Sequence, residues 1–189
     1  VCGVKVYGRK VTATEKDKRK RTIPKKDYYI SGVKVRNNTI TTAGHGIHLV
    51  DAKDCQVTGN KITGKGYYAK DEWRKKYDGV FADVACERLL IDSNTVKNTA
   101  RSGVFTQNYS KSMTITNNNI SGCKLHGVQM FNKSTCTKLS GNVISNIKEH
   151  AVHISKATAY IRNNTISKAP YGVYVTSDAK GKIYQNTYK

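Results

Sequence analysis

The strongest constraint on the fold is a short element that recurs along almost the whole chain. It consists of Asn, any residue and an aliphatic residue, and a large aliphatic residue stands three positions before each Asn. Wherever nothing is inserted, successive copies lie 22 to 24 residues apart. A period of this length is typical of solenoids, in which each repeat buries its apolar face only by stacking on the next. The repeated residues are Asn38, Asn60, Asn94, Asn118, Asn142, Asn164 and Asn186.

A second element follows most copies of the first and reads Gly, aliphatic, any residue, apolar. Gly46 to Leu49 and Gly127 to Met130 are two examples. Both elements alternate Val or Ile with other residues, and Asn and Gly separate them, which predicts short strands joined by turns. No stretch carries a helical period. We expect the aliphatic residues at equivalent positions to line one continuous core and the Asn side chains to form a stacked hydrogen-bonded ladder.

With these two elements the sequence resembles the right-handed parallel β-helix proteins, the pectin-lyase-like superfold. The resemblance covers nearly the whole chain and implies an all-β, single-stranded, right-handed parallel β-helix (solenoid) of about seven coils. We expect one domain over residues 1–189, with a basic loop inserted at 7–29 and a second loop at 64–76. Proteins of this fold include lyases, hydrolases, epimerases and non-catalytic adhesins, so the fold alone does not assign a function.

The chain starts in the middle of a coil, because the element at Gly3 has no Asn element before it. An uncovered solenoid end exposes apolar core and strand edges. We therefore expect this chain to be a C-terminal fragment of a longer protein, or the inserted segment 7–29 or another molecule to cover the first coil.

Charge and cysteine content narrow the range of partners. The chain has 33 Lys and Arg against 13 Asp and Glu, a formal net charge of +20, which attracts polyanions. Its apolar runs are shorter than the roughly 18 residues needed to cross a membrane. Five cysteines without a C-x-x-C pair predict buried free thiols, so we expect neither a metal site nor another cofactor.

Aligning the coils places all five histidines in two columns. Four of the histidines form two H-x-x-H motifs, His45 with His48 and His150 with His153. Neighbouring coils are about 4.8 Å apart, whereas near-extended chain would separate the two rings of one H-x-x-H by roughly 10 Å. A stacked polar ladder without a ligand would explain the column before the Gly as well as a functional site would. The outward column has aromatic residues that favour sugar stacking. The column before the Gly is Cys2, His45, Asp78, Ser102, His126, His150 and Tyr171, and the outward column is Lys5, His48, Phe81, Phe105, Gln129, His153 and Tyr174.

The neighbourhood of Asp78 is the candidate catalytic site. A lyase or epimerase acting on uronic acids needs a cation that neutralises the sugar carboxylate and a base that removes the adjacent proton. Tyr77 or His45 would be the base, Arg101 the carboxylate clamp and Asp78 the orienting group. The clustered carboxylates of polygalacturonase-like hydrolases or of calcium-dependent lyases are not found. Candidate substrate-binding residues are His48, Trp73, Phe81, Phe105, Gln129 and His153.

The sequence therefore predicts an extracellular or cell-surface module that binds an acidic polysaccharide, and it leaves open whether the module also cleaves the polymer by β-elimination or epimerises it. The alternative is a non-catalytic structural or adhesive β-helix segment of a surface protein. Nucleic acid is a third and less favoured partner, because charge alone does not separate it from an acidic polysaccharide. The oligomeric state is not predicted.

Overall fold

The computed structural model describes residues 2–8, 29–65 and 77–189, and the backbone of two short strands, Glu15–Lys16 and Thr22–Ile23. Most of both expected insertions, including most of the basic run at 16–26, lies outside the described residues. The question of what covers the first coil therefore stays a prediction. Within the described ranges no helix is long and apolar enough to span a membrane.

Three parallel sheets of seven strands each form the solenoid, and the chain visits them in the same order in each coil. This confirms the all-β parallel solenoid. The first sheet contains Cys2–Tyr7, His45–Val50, Val80–Asp83, Val104–Thr106, His126–Phe131, His150–Ser155 and Tyr171–Val175. The second contains Lys34–Arg36, Gln56–Thr58, Leu90–Asp92, Met113–Thr116, Thr135–Ser140, Thr158–Arg162 and Lys180–Tyr184. The third contains Thr39–Thr42, Lys61–Gly64, Thr95–Lys97, Asn119–Ser121, Val143–Ser145, Thr165–Ser167 and Thr187–Tyr188.

Two short strand pairs lie outside these sheets. Ile30–Ser31 runs parallel to Ala52–Lys53, and Glu15–Lys16 runs antiparallel to Thr22–Ile23. All three large sheets turn their inward residues toward one core. The repeated aliphatic residues line that core as the sequence predicts, and none of them is more than 7% exposed: Val35, Ile47, Val57, Val80, Ile91, Val104, Ile115 and Val128.

The repeated asparagines form the expected ladder at one turn of each coil. Asn94 Nδ2 donates to Asn118 Oδ1 over 3.0 Å and to the carbonyl of Val57 over 2.8 Å. Its backbone amide donates to the same Asn118 oxygen. The pattern continues from Asn38 to Asn186, so the buried amides are hydrogen-bonded and the turns are fixed.

The cysteines are free thiols, as predicted. Cys2 is half-buried and the other four are buried. Burial raises the pKa of Cys86, Cys123 and Cys136 to about 12. These thiols stay protonated at neutral pH and act as small apolar core residues.

Candidate functional site

The outer face of the first sheet carries both predicted columns in the predicted register. His48 pairs with Lys5 on one side and Phe81 on the other. His126 pairs with His150, and Gln129 pairs with His153. The column assignments made from the repeat are therefore correct.

The two rings of each H-x-x-H lie close together, and the expected separation of roughly 10 Å is wrong. The centroids are 5.1 Å apart for His45 and His48, and 5.2 Å apart for His150 and His153. The cause is a local break in strand alternation. The consecutive amides of Gly46 and Ile47 both donate to the next coil, so the residues on either side of this pair share the outer face.

Gly46 has no room for a side chain at the first break, whereas Ala151 takes the equivalent place in the second H-x-x-H. A Cβ on Gly46 would lie 2.4 Å from Ile62 Cγ2 and 2.5 Å from the carbonyl oxygen of Gly79. At this coil the missing Cβ of Gly46 thus allows a close backbone approach to the next coil.

Asp78 is the centre of the first group of polar residues. Its side chain is fully buried and accepts hydrogen bonds from Arg101 Nε (2.9 Å), from Arg101 Nη2 and from the amide of Ser102 (3.0 Å). Burial raises the pKa of Asp78, and the positive charge and hydrogen bonds of Arg101 oppose that rise. Three donors that all need an acceptor fit the ionised carboxylate.

His45 lies directly against this ion pair. The amide of Asp78 donates to His45 Nδ1 over 3.1 Å, which assigns the proton of the neutral ring to Nε2. Burial and the positive charges of His48 and Arg101 lower the pKa of His45 to about 3. The ring is therefore neutral at physiological pH, and its Nε2 is a hydrogen-bond donor.

Phe81 and Phe105 point outward from the sheet but are only 7% and 4% exposed, which corrects the expectation of exposed stacking rings. They stack on each other, and Phe81 also stacks on His48. The guanidinium of Arg101 covers them, with its carbon 4.4 Å from the Phe105 centroid and 5.4 Å from that of Phe81. The two rings therefore support Arg101 and are not open platforms for a sugar.

Tyr77 completes the Asp78 site, which we define as His45, Tyr77, Asp78 and Arg101. Its half-buried ring meets His45 edge-on at 5.1 Å, and its carbonyl accepts the Arg101 amide over 2.9 Å. The four predicted catalytic residues are thus brought together.

The predicted substrate-binding residues are more scattered. His48 adjoins the Asp78 site, and Gln129 Oε1 accepts from Ser102 Oγ over 3.1 Å one coil further along. His153 lies beyond Gln129 in the next coil. Trp73 lies outside the described residues.

The sequence predicts no metal ligands, yet the structure brings His126, His150 and His153 together. One ligand nitrogen of each lies within 4.8 Å of the other two. The register already placed His126 beside His150. The cluster was missed because the expected 10 Å separation removed His153 from it.

The model of the family described as "Right handed beta helix region" matches residues 27–188. A crystal structure of the periplasmic alginate epimerase AlgG superposes with a TM-score of 0.71 at 14% identity, over 84% of this chain and 40% of that one. A variant of that enzyme with one Thr-to-Asn substitution gives 0.64 at 15% identity, over 100% of this chain and 48% of that one. This chain therefore spans less than half the length of these structures, and the likeness shows the fold. No curated protein sequence matches significantly.

Proposed function

The chain belongs to the right-handed β-helix family, and from that premise we propose that it binds an acidic polysaccharide along the first sheet and removes the C5 proton of a uronic acid at the Asp78 site. Loss of that proton is the first step of both β-elimination and epimerisation. The chain thus acts as a polysaccharide lyase or epimerase.

The observation that carries this proposal is the convergence of Tyr77, His45 and a buried Asp78–Arg101 ion pair. A buried pair is a weak source of stability, because desolvation offsets most of its attraction. Strongly perturbed titratable groups beside one another are typical of functional sites. A stalk or adhesin would need only the core and the Asn ladder.

Each residue has a role that follows from its contacts. Arg101 uses Nε and Nη2 on Asp78, and its Nη1 has no acceptor within the part of the chain that the structure describes. That nitrogen faces the sugar carboxylate and stabilises the charge that develops when C5 loses its proton. Asp78 holds the guanidinium in place.

Tyr77 is the base that takes the C5 proton on its phenolic oxygen. The tautomer of His45 decides between His45 and Tyr77 as the base. Nδ1 of His45 already accepts a hydrogen bond and Nε2 carries the proton, so neither nitrogen is free to take another. His45 instead donates a hydrogen bond that orients the sugar. His48 and Gln129 extend the binding surface toward the next sugar units.

Two further observations favour a polyanionic sugar. The net charge of +20 attracts it, and exposed Lys124 and Lys148 stand at the same turn, one and two coils beyond Arg101. The structurally similar AlgG is an alginate epimerase and periplasmic by name. We accordingly place this protein outside the cytoplasm, in the envelope or at the cell surface.

The test is titration of oligogalacturonate, oligoalginate and a glycosaminoglycan fragment, with unsaturated product followed by absorbance and epimerised product by NMR. Tyr77→Phe should bind like the parent and lose about 100-fold or more of the rate, the usual contribution of a general base. Tyr109→Phe, an exposed tyrosine away from the site, is the matched control. Binding without product would favour the adhesive alternative, and no binding of any of the three would overturn the proposal.

A further inference from the structure

A second group of functional side chains lies on the same face, two to three coils beyond Asp78 and so roughly 10–15 Å away. The three-histidine cluster consists of His126, His150 and His153. His126 Nε2 is 3.1 Å from His153 Nδ1, and His126 Nδ1 is 3.2 Å from His150 Nδ1. The parallel register fixes these rings relative to one another, because His150 stacks on His126 and His153 on Gln129.

The nitrogen separations match a coordination sphere. Zinc binds imidazole nitrogen at about 2.0–2.1 Å, so neighbouring ligands of a tetrahedral ion lie about 3.4 Å apart. The pair formed by His126 Nε2 and His153 Nδ1 is already near that separation. The third ligand nitrogen, on His150, lies within 4.8 Å of the other two. A rotation of the His150 ring would shorten that separation to the one that the metal needs.

The surroundings favour a cation. Burial lowers the pKa of all three rings, that of His126 to about 3, so each offers a lone pair at neutral pH. A carboxylate oxygen of Glu149 lies 3.9 Å from His126 Nδ1. At that distance the carboxylate makes no hydrogen bond to the ring, but its negative charge favours a cation at the cluster.

The cluster is closed on one side and open on the other. His126 is 5% exposed, whereas His150 and His153 are half-buried. The rings of Tyr171 and Tyr174 pack on His150 with centroids 5.1 and 4.4 Å away. Three protein ligands with an accessible fourth position are typical of zinc sites that bind water or an exogenous ligand.

We propose that His126, His150 and His153 form a binding site for one divalent transition-metal ion, with Zn²⁺ the best match to a donor set of three imidazoles. The site is separate from the Asp78 site and does not depend on the proposed activity. Its open position faces the surface along which an acidic polymer would lie.

Calorimetric titration of chelator-treated protein with Zn²⁺ tests the site. The parent should bind one ion per chain, and His150→Gln and His153→Gln should each weaken binding more than about 100-fold, since changes to second-shell partners alone cost about 10- to 100-fold. His48→Gln is the matched control, because His48 occupies the same column as His153. It should bind within about threefold of the parent.

Two readouts keep the test decisive if a variant folds poorly. In the parent, imidazole NMR signals of the cluster should shift on adding Zn²⁺ while those of His45 and His48 stay. The Co²⁺ complex should show a four-coordinate visible spectrum without thiolate charge transfer, which excludes the five cysteines. Absence of stoichiometric Zn²⁺ binding by the parent, or equal binding by the His150→Gln, His153→Gln double variant, would overturn the proposal.

Discussion

The Asp78 site and the three-histidine cluster are built on the same repeat element but differ in their chemistry. In each, two consecutive buried residues separate the histidines of an H-x-x-H and the two rings approach to about 5 Å, with Gly46 at the break in the first and Ala151 in the second. In the first, the next coils add a buried carboxylate, a guanidinium and two phenyl rings. In the second, the neighbouring coils add a third imidazole and two phenol rings.

The difference shows where specificity lies in a parallel β-helix. The coil fixes where a side chain points, while the residues stacked above and below it fix what that side chain can do. Burial lowers the pKa of the imidazoles in both places. Only the partner decides whether the neutral ring orients a sugar or ligates a metal.

The largest expected effect comes from the core that both regions share. Val104 is fully buried in the first sheet between them. Val104→Asp would bury an unpaired carboxylate and should lower the free energy of unfolding by about 3–5 kcal/mol. Chemical denaturation measures it, and unchanged stability would mean that our register is wrong.

Next is the ion pair that distinguishes the Asp78 site. Asp78→Asn removes the charge that faces Arg101 and should cost about 2 kcal/mol, below the usual range for buried pairs because the arginine is 20% exposed. Asp54→Asn breaks a similar two-bond contact with Arg88 at the surface, where about half of each side chain is exposed, and should change little. Equal losses in the two variants would contradict the burial of the Asp78–Arg101 pair.

The pH dependence is the third expectation. The pKa of His45 is about 3 in the folded chain and 6.5 in its unperturbed form. The unfolded state therefore binds a proton that the native state does not, and stability is complete above pH 6.5 and falls as the pH decreases toward 3. Between these values His45 should contribute a slope of about 1.4 kcal/mol per pH unit. With chelator present, His45→Gln should lose that part of the slope in urea unfolding between about pH 6 and 4, and an unaltered slope would contradict the pKa.

The smallest effect is the coupling between the two regions. They share no direct contact among their defining residues, although Ser102 and Gln129 connect their neighbours. The stability losses of Asp78→Asn and His153→Gln should add to within about 0.5 kcal/mol in the double variant. A larger interaction energy would show that they form one site.

The fold and the two columns could be predicted from the sequence because a solenoid repeats the same strands and turns in every coil. The equal spacing of Asn94 and Asn118 dictates a ladder, and the inward Val80 and Val104 dictate a core. It failed where side chains from different coils compete for the same space. Arg101 turns onto Phe81 and Phe105 and buries them, a rotamer choice that no spacing encodes. The break at Gly46 moves rings by several ångströms and depends on backbone contacts between coils.

The central claim is that Tyr77 removes a C5 proton from a uronic acid held by Arg101. The most direct measurement is NMR of oligouronates incubated with the protein in D₂O, because elimination and epimerisation both begin with loss of that proton. We expect the C5 signal to disappear with the parent, through deuterium incorporation or conversion to unsaturated sugar. We expect it to persist with Tyr77→Phe and to disappear with Tyr109→Phe as with the parent. An oligouronate that binds the parent at the Asp78 site and keeps its C5 proton unchanged would contradict the account.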